Sequence, residues 1–137
     1  PSSEKLIVVV DDDEGVRELM EFSLKREGFR YELAADGEAG LDKITKLMPD
    51  CVLLDLMLPR YGGFEVLRQL QAGETARIPI IIMPGRYSDR STSDMIRQES
   101  NVVDFMEKPI KPGVLAMTLH KLLKTAPPRA AAAPKPE

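Results

Sequence analysis

Three short runs constrain this chain more than any other feature: Leu6–Val10, Cys51–Leu58 and Ile78–Met83. Nearly every residue in them is apolar, and many are β-branched. Each run is too short for a stable helix. The lack of polar alternation predicts strands buried on both faces, the pattern of a parallel sheet. Two weaker runs, Tyr31–Ala35 and Asn101–Glu107, extend the series at even spacing. Helical patterns separate them. Val16, Leu19, Met20 and Leu24 form one stripe, and Gly28 stands where a C-terminal cap belongs. Ala39, Leu41, Ile44 and Leu47 or Met48 form a second, stopped by Pro49. Phe64, Leu67 and Leu70 form a third. Residues 91–100 are short and weakly apolar, with a cap at Ser91 and Asp94 three residues on. Val114, Leu115, Leu119, Leu122 and Leu123 form the last, behind Pro112. Five strands alternating with five helices predict an α/β domain, a doubly wound five-stranded parallel sheet flanked by helices. It is expected to occupy residues 1–125. Residues 126–137, rich in proline and alanine, read as a disordered linker or tail.

A chain of 137 residues is long enough for one domain with a real core. A net charge of -3, from 19 basic and 22 acidic residues, argues against nucleic-acid binding by charge. Cys51 is the one cysteine, so no internal disulfide can form. No apolar run approaches the roughly 20 residues that a membrane helix needs, and Pro1–Leu6 has no signal-peptide character. The expectation is a cytoplasmic domain with no membrane partner.

In open parallel sheets, ligands collect beyond the carboxyl ends of the strands. Asp11, Asp12 and Asp13 follow the first strand, Asp55 stands in the third, and Lys108 follows the fifth. Adjacent carboxylates repel unless a cation lies among them. A sheet that brings these strand ends together makes a hard oxygen site suited to Mg²⁺. Lys108 adds a point charge for a carboxylate or a phosphate oxygen. Asp55 precedes a turn marked by Pro59, Gly62 and Gly63, and beside a metal and a lysine it can act as a nucleophile toward a phosphoryl group.

The motifs "VVDDDEGVRELM", "ADGEAGL", "PDCVLLDLMLPRYGGFEVLRQL", "IPIIIM" and "VDFMEKPIKPGVL" run from about Lys5 to Lys124. Together they resemble the receiver domain of two-component response regulators, the bacterial CheY-like superfamily with a flavodoxin-like fold. The resemblance implies a phosphorelay module that catalyses only its own phosphorylation and dephosphorylation. It makes Asp55 the phosphoacceptor and Lys108 the lysine that contacts the phosphoryl group. Asp11, Asp12, Asp55 and the backbone carbonyl of Met57 become the Mg²⁺ ligands, with Asp13 a neighbour of the pocket. Phe105 falls on the aromatic position whose rotamer reports activation, and Pro109 on a position often joined by a cis bond. The implied partners are a sensor histidine kinase or phosphotransfer protein, an output domain beyond the linker, and a second copy at the face of the last helix, the fifth strand and the helix before it.

The chain departs from the family at the end of the fourth strand. Pro84 occupies the position of the usual Thr or Ser, and Gly85 the small residue after it. Proline has neither a hydroxyl nor a backbone N–H. Ser88 substitutes only if the loop folds back. Switching is therefore expected to be rerouted or weak, and a pseudo-receiver that works by protein interaction without phosphate is the second hypothesis. A phosphohydrolase with a nucleophilic aspartate is the third, but it wants a second aspartate where Met57 stands. Plainer readings hold elsewhere. Asp13 serves as a helix N-cap, Phe105 as a core or half-buried strand residue, and Cys51 as a small buried hydrophobe. The methionines belong to the core, and His120 is an ordinary helix-surface or partly buried residue of the last helix, not a phosphorelay histidine.

Overall fold

The computed structural model describes residues 1–56, 58, 62–83 and 101–128. Five strands, β1 (Leu6–Val10), β2 (Arg30–Ala34), β3 (Cys51–Asp55), β4 (Ile80–Met83) and β5 (Val102–Phe105), form one parallel sheet in the order β2-β1-β3-β4-β5. Four α-helices accompany them among the described residues: α1 (Glu14–Arg26), α2 (Gly37–Leu47), α3 (Gly63–Leu70) and α4 (Pro112–Leu123). The helix expected over residues 91–100, with its cap at Ser91, lies outside the described residues.

The two-residue alternation of strand side chains divides the core. Val8, Val10, Val52, Leu54, Ile80 and Ile82 face α2 and α3 and pack with Ile44, Val66, Leu67 and Leu70. Ile7, Val9, Cys51, Leu53, Ile81 and Met83 face α1 and α4 and pack with Met20, Leu24, Leu115 and Leu119. The three central strands are buried on both faces, as their unbroken apolar runs predict. Each fully buried leucine or isoleucine here contributes on the order of 2 kcal/mol.

Local signals end the helices as expected. Gly28, at φ 85°, closes α1. Its N–H donates to the Lys25 carbonyl at 3.1 Å and the Phe29 N–H to the Leu24 carbonyl at 3.0 Å, a Schellman arrangement. Pro112 opens α4, where its missing N–H costs nothing.

Several expectations are corrected. Phe64 is half exposed, because the buried stripe of α3 is Gly63, Val66, Leu67 and Leu70. At 100° per residue Phe64 stands roughly 110° from that stripe. Leu47 and Met48 are exposed at the end of α2, where Met48 adopts a left-handed conformation and turns the chain out of the helix. Met20, Met83 and Met106 are core residues, but Met48 and Met117 are exposed. Val114, expected on the buried face of α4, is also exposed. The third strand ends at Asp55 and does not run on to Leu58, although Leu56 and Leu58 remain buried.

Cys51 is fully buried, and burial pushes its thiol from 9.0 up to about 12. Thiolate reagents are therefore expected to spare the native protein near neutral pH and to label Cys51 only on unfolding. Because the folded value is raised, the thiol's contribution to stability is complete below 9.0 and is lost as the pH rises toward 12. The loss is up to about 1.4 kcal/mol per pH unit, which denaturant titrations at several alkaline pH values measure beside a Cys51→Ala control.

Candidate functional site

The chain leaves β1 toward β2 on one side of the sheet, whereas β3, β4 and β5 extend on the other. The order therefore reverses between β1 and β3, and the crevice at their carboxyl ends is where open α/β sheets hold ligands. Val10 is in register with Leu54, and Asp55 with Met83. Asp11 and Asp12 thus emerge beside Asp55. One carboxylate oxygen from each of the three lies within 4.8 Å of the other two. Asp11 and Asp55 are buried, and Asp12 is exposed.

Lys108 comes from the far edge of this group, three residues past β5, and its peptide bond to Pro109 is cis. Its ammonium lies 2.8 Å from Asp11 Oδ2 and 3.4 Å from Asp55 Oδ2. Burial alone would lower the ammonium's pKa. Pairing with Asp11 and Asp55 outweighs it and holds the value above that of an ordinary lysine. The buried Asp11 Oδ2 is engaged by this ion pair and has no further partner among the described residues. Three carboxylates and one ammonium leave a formal charge of -2 in the cluster.

The backbone holds this cluster by directed bonds. The Asp11 N–H donates to the Ala34 carbonyl at 3.0 Å. Asp11 Oδ1 accepts from the Asp13 N–H at 2.9 Å. Asp13 Oδ1 caps α1, accepting from the N–H groups of Gly15 at 2.8 Å and Val16 at 3.3 Å. The three adjacent aspartates therefore have different duties. Asp13 serves the helix, Asp11 serves the loop with one oxygen and the cluster with the other, and the Asp12 side chain makes no hydrogen bond or ion pair among the described residues. Opposite them, Gly63 opens α3 so close to β3 that a Cβ would collide with the Asp55 carbonyl oxygen and the Leu56 Cα.

The donor set fits a hard divalent cation. It is all oxygen, carries a surplus of two negative charges, and includes a buried oxygen whose one partner among the described residues is the Lys108 ammonium. Four of the residues read from the sequence, Asp11, Asp12, Asp55 and Lys108, are brought together. Phe105 is half-buried on β5 against the α2–α3 core. Met57, Pro84, Gly85 and Ser88 lie outside the described residues. His120 stands at the opposite end of the sheet, partly buried, with Nε2 2.8 Å from Glu27 Oε1, Nδ1 2.7 Å from Thr125 Oγ1, and its ring stacked on Phe29. It ties the end of α4 to the end of α1.

One residue of the site escapes the sequence reading. Arg17 donates from Nη1 to the Asp11 backbone carbonyl at 2.8 Å. Its signal is a cation near a helix N-terminus, where the dipole disfavours positive charge and a specific acceptor is needed to hold it.

The response regulator receiver domain model matches residues 7–120. The transcriptional regulatory protein AfsQ1 of Streptomyces coelicolor is 35% identical over 118 residues, covering 86% of this chain and 51% of that protein. The response regulator MprA of Mycobacterium tuberculosis is 37% identical over 126 residues, covering 92% and 54%. The chain thus spans about half the length of these curated relatives. Among solved structures, a CheY-like receiver domain protein from Methanospirillum hungatei superposes with a TM-score of 0.76 at 27% identity, covering 88% of this chain and 94% of that one. The sheet order, the acidic rim at its switch point and this match over most of the chain agree: the chain belongs to the response regulator receiver domain family of two-component systems.

Proposed function

We propose that this domain accepts a phosphoryl group on Asp55. The observation that carries the reading is the convergence of Asp11, Asp12 and Asp55 with Lys108 lodged between two of them. An Asp55 carboxylate oxygen attacks the phosphorus of a donor, a phosphohistidine of a sensor kinase or a small acyl phosphate. A P–O bond forms to Asp55 as the donor's bond to phosphorus breaks, and the leaving group departs with that electron pair. Mg²⁺, held by Asp11, Asp12, Asp55 and the Met57 carbonyl, would supply neutralising charge to the transferring oxygens. Lys108 leaves its carboxylate partners to meet a phosphoryl oxygen, carrying the positive charge that a lysine bears throughout the physiological range. Burial of Asp55 limits water and sharpens these interactions.

The output of this chemistry rests on Phe105 and on the segment that begins at Pro84. With proline at the hydroxyl position, the phosphoryl group cannot draw that segment inward through a side-chain hydrogen bond. We therefore propose that the signal leaves by another route, toward a partner surface or an output domain.

The test is intact mass after incubation with acetyl phosphate and Mg²⁺, beside an Asp55→Asn control. One added phosphoryl group is expected on the unsubstituted chain and none on Asp55→Asn or in EDTA. Failure of the unsubstituted chain to gain mass from acetyl phosphate and from sensor kinases, with Mg²⁺ binding intact, would refute the acceptor and favour the pseudo-receiver.

A further inference from the structure

Arg17 sits beside an acidic cluster, yet it makes no ion pair among the described residues. Its one side-chain hydrogen bond among those residues goes to a neutral acceptor, the backbone carbonyl of Asp11, at 2.8 Å. If its task were to neutralise the aspartates, a guanidinium would be expected to fork onto a carboxylate, the geometry it matches best. The acceptor it does engage belongs to the peptide linking Asp11 to Asp12. The preceding peptide is already held, because the Asp11 N–H donates to Ala34 of β2. The following one is held too, because the Asp13 N–H donates to Asp11 Oδ1. Arg17 secures the remaining peptide between these two, from the first turns of α1, which Asp13 caps.

We propose that Arg17 is a positioning residue that fixes the Asp11–Asp12 peptide, and through it the separation and direction of the two carboxylates offered to a divalent cation. This rests on the metal-dependent reading above. A rotation of that peptide would carry the exposed Asp12 side chain away from Asp11 and Asp55 without disturbing β1 or the N-cap. The strand end and the helix cap hold the loop on either side, and Arg17 holds its middle.

The proposal has a distinguishing sign. Removing a positive charge near a cation site strengthens cation binding by simple electrostatics. Removing a group that orients metal ligands weakens it, typically by 10-fold or more. The experiment is calorimetric titration of Mg²⁺ into the unsubstituted chain, Arg17→Met and Arg17→Lys, with hydrogen exchange of the Asp12 and Asp13 amides followed in EDTA. Arg17→Met is expected to bind Mg²⁺ about 10-fold more weakly despite the lost charge. The Asp13 amide should exchange faster in that variant, and Arg17→Lys should recover only part of either effect. Thermal unfolding in EDTA confirms that the variants are folded, and Arg17→Gln replaces Arg17→Met if the latter is not. Unchanged or tighter Mg²⁺ binding by a folded neutral variant, with unaltered amide exchange, would overturn the role of Arg17 and leave the acceptor reading standing. An unsubstituted chain that binds no Mg²⁺ would overturn both.

Discussion

Lys108→Met is expected to destabilise the metal-free domain by about 3 kcal/mol, the lower end of the cost of breaking a buried ion pair. The reason lies in its neighbours. Asp11 is fully buried and Asp55 nearly so, and the Lys108 ammonium is in ion-pair contact with both. Methionine keeps most of the side-chain volume but leaves two carboxylates without that counter-charge in a shielded crevice. The low end of the range is chosen because Lys108 itself reaches the solvent. For a domain of this size the melting temperature should fall by about 10 °C in EDTA. Mg²⁺ should reverse much of the loss, since a divalent cation supplies the missing charge and no ammonium competes for Asp11 Oδ2. The variant's melting point should therefore rise more on addition of Mg²⁺ than that of the unsubstituted protein. Scanning calorimetry with and without Mg²⁺ measures both shifts, and equal stability of the two proteins in EDTA would show that the ion pair carries no net stabilisation. The pH dependence has a definite sign. The folded pKa of Lys108 is raised, so the contribution is complete below an ordinary lysine's value of 10.5 and is lost only as the pH rises through the folded one.

Gly63→Ala tests the same rim through its backbone. An added Cβ would collide with the carbonyl oxygen of Asp55 and with Leu56 Cα, both main-chain atoms that cannot swing aside as a side-chain tip can. Accommodation requires α3 to lift from the end of β3 or Asp55 to shift. Either opens the contacts that bury Val66, Leu67 and Leu70. The expected cost is about 3 kcal/mol, at the upper end for overpacking. Because the collision is with Asp55 itself, Mg²⁺ affinity and the rate of phosphoryl uptake should fall in the folded fraction as well. Denaturant unfolding reads the first effect and intact-mass time courses read the second. Gly62→Ala is the control. Among the described residues its Cβ would meet only the Leu58 carbonyl oxygen, at an ordinary 3.5 Å.

The two substitutions show where sequence reading reaches and where it stops. Lys108 and the aspartates were recognisable because charged residues at the ends of apolar runs break the pattern around them. The doubly wound class was recognisable from the runs themselves. Gly63 was legible only as a turn residue, since nothing local reveals that main-chain atoms of β3 lie against it. Phe64 illustrates the converse error. Spacing by threes with Leu67 and Leu70 suggested a buried stripe, but Gly63 and Val66 define the inner face, because the close approach of α3 to β3 is made at the glycine.

Local chemistry along the chain was enough to establish the parallel sheet, the caps of α1, the burial of Cys51 and the acidic and basic groups at the strand ends. These depend on β-branched runs, capping side chains and the distinctive backbones of glycine and proline, all of which act within a few residues. Tertiary structure alone decided that β1 lies beside β3, so that Asp11 meets Asp55. It also brought Lys108, from the other end of the chain, between them, and it gave Arg17 the Asp11 carbonyl as its acceptor. Those contacts follow from strand order and helix approach, which are set by packing between segments distant in sequence and leave no periodicity to read.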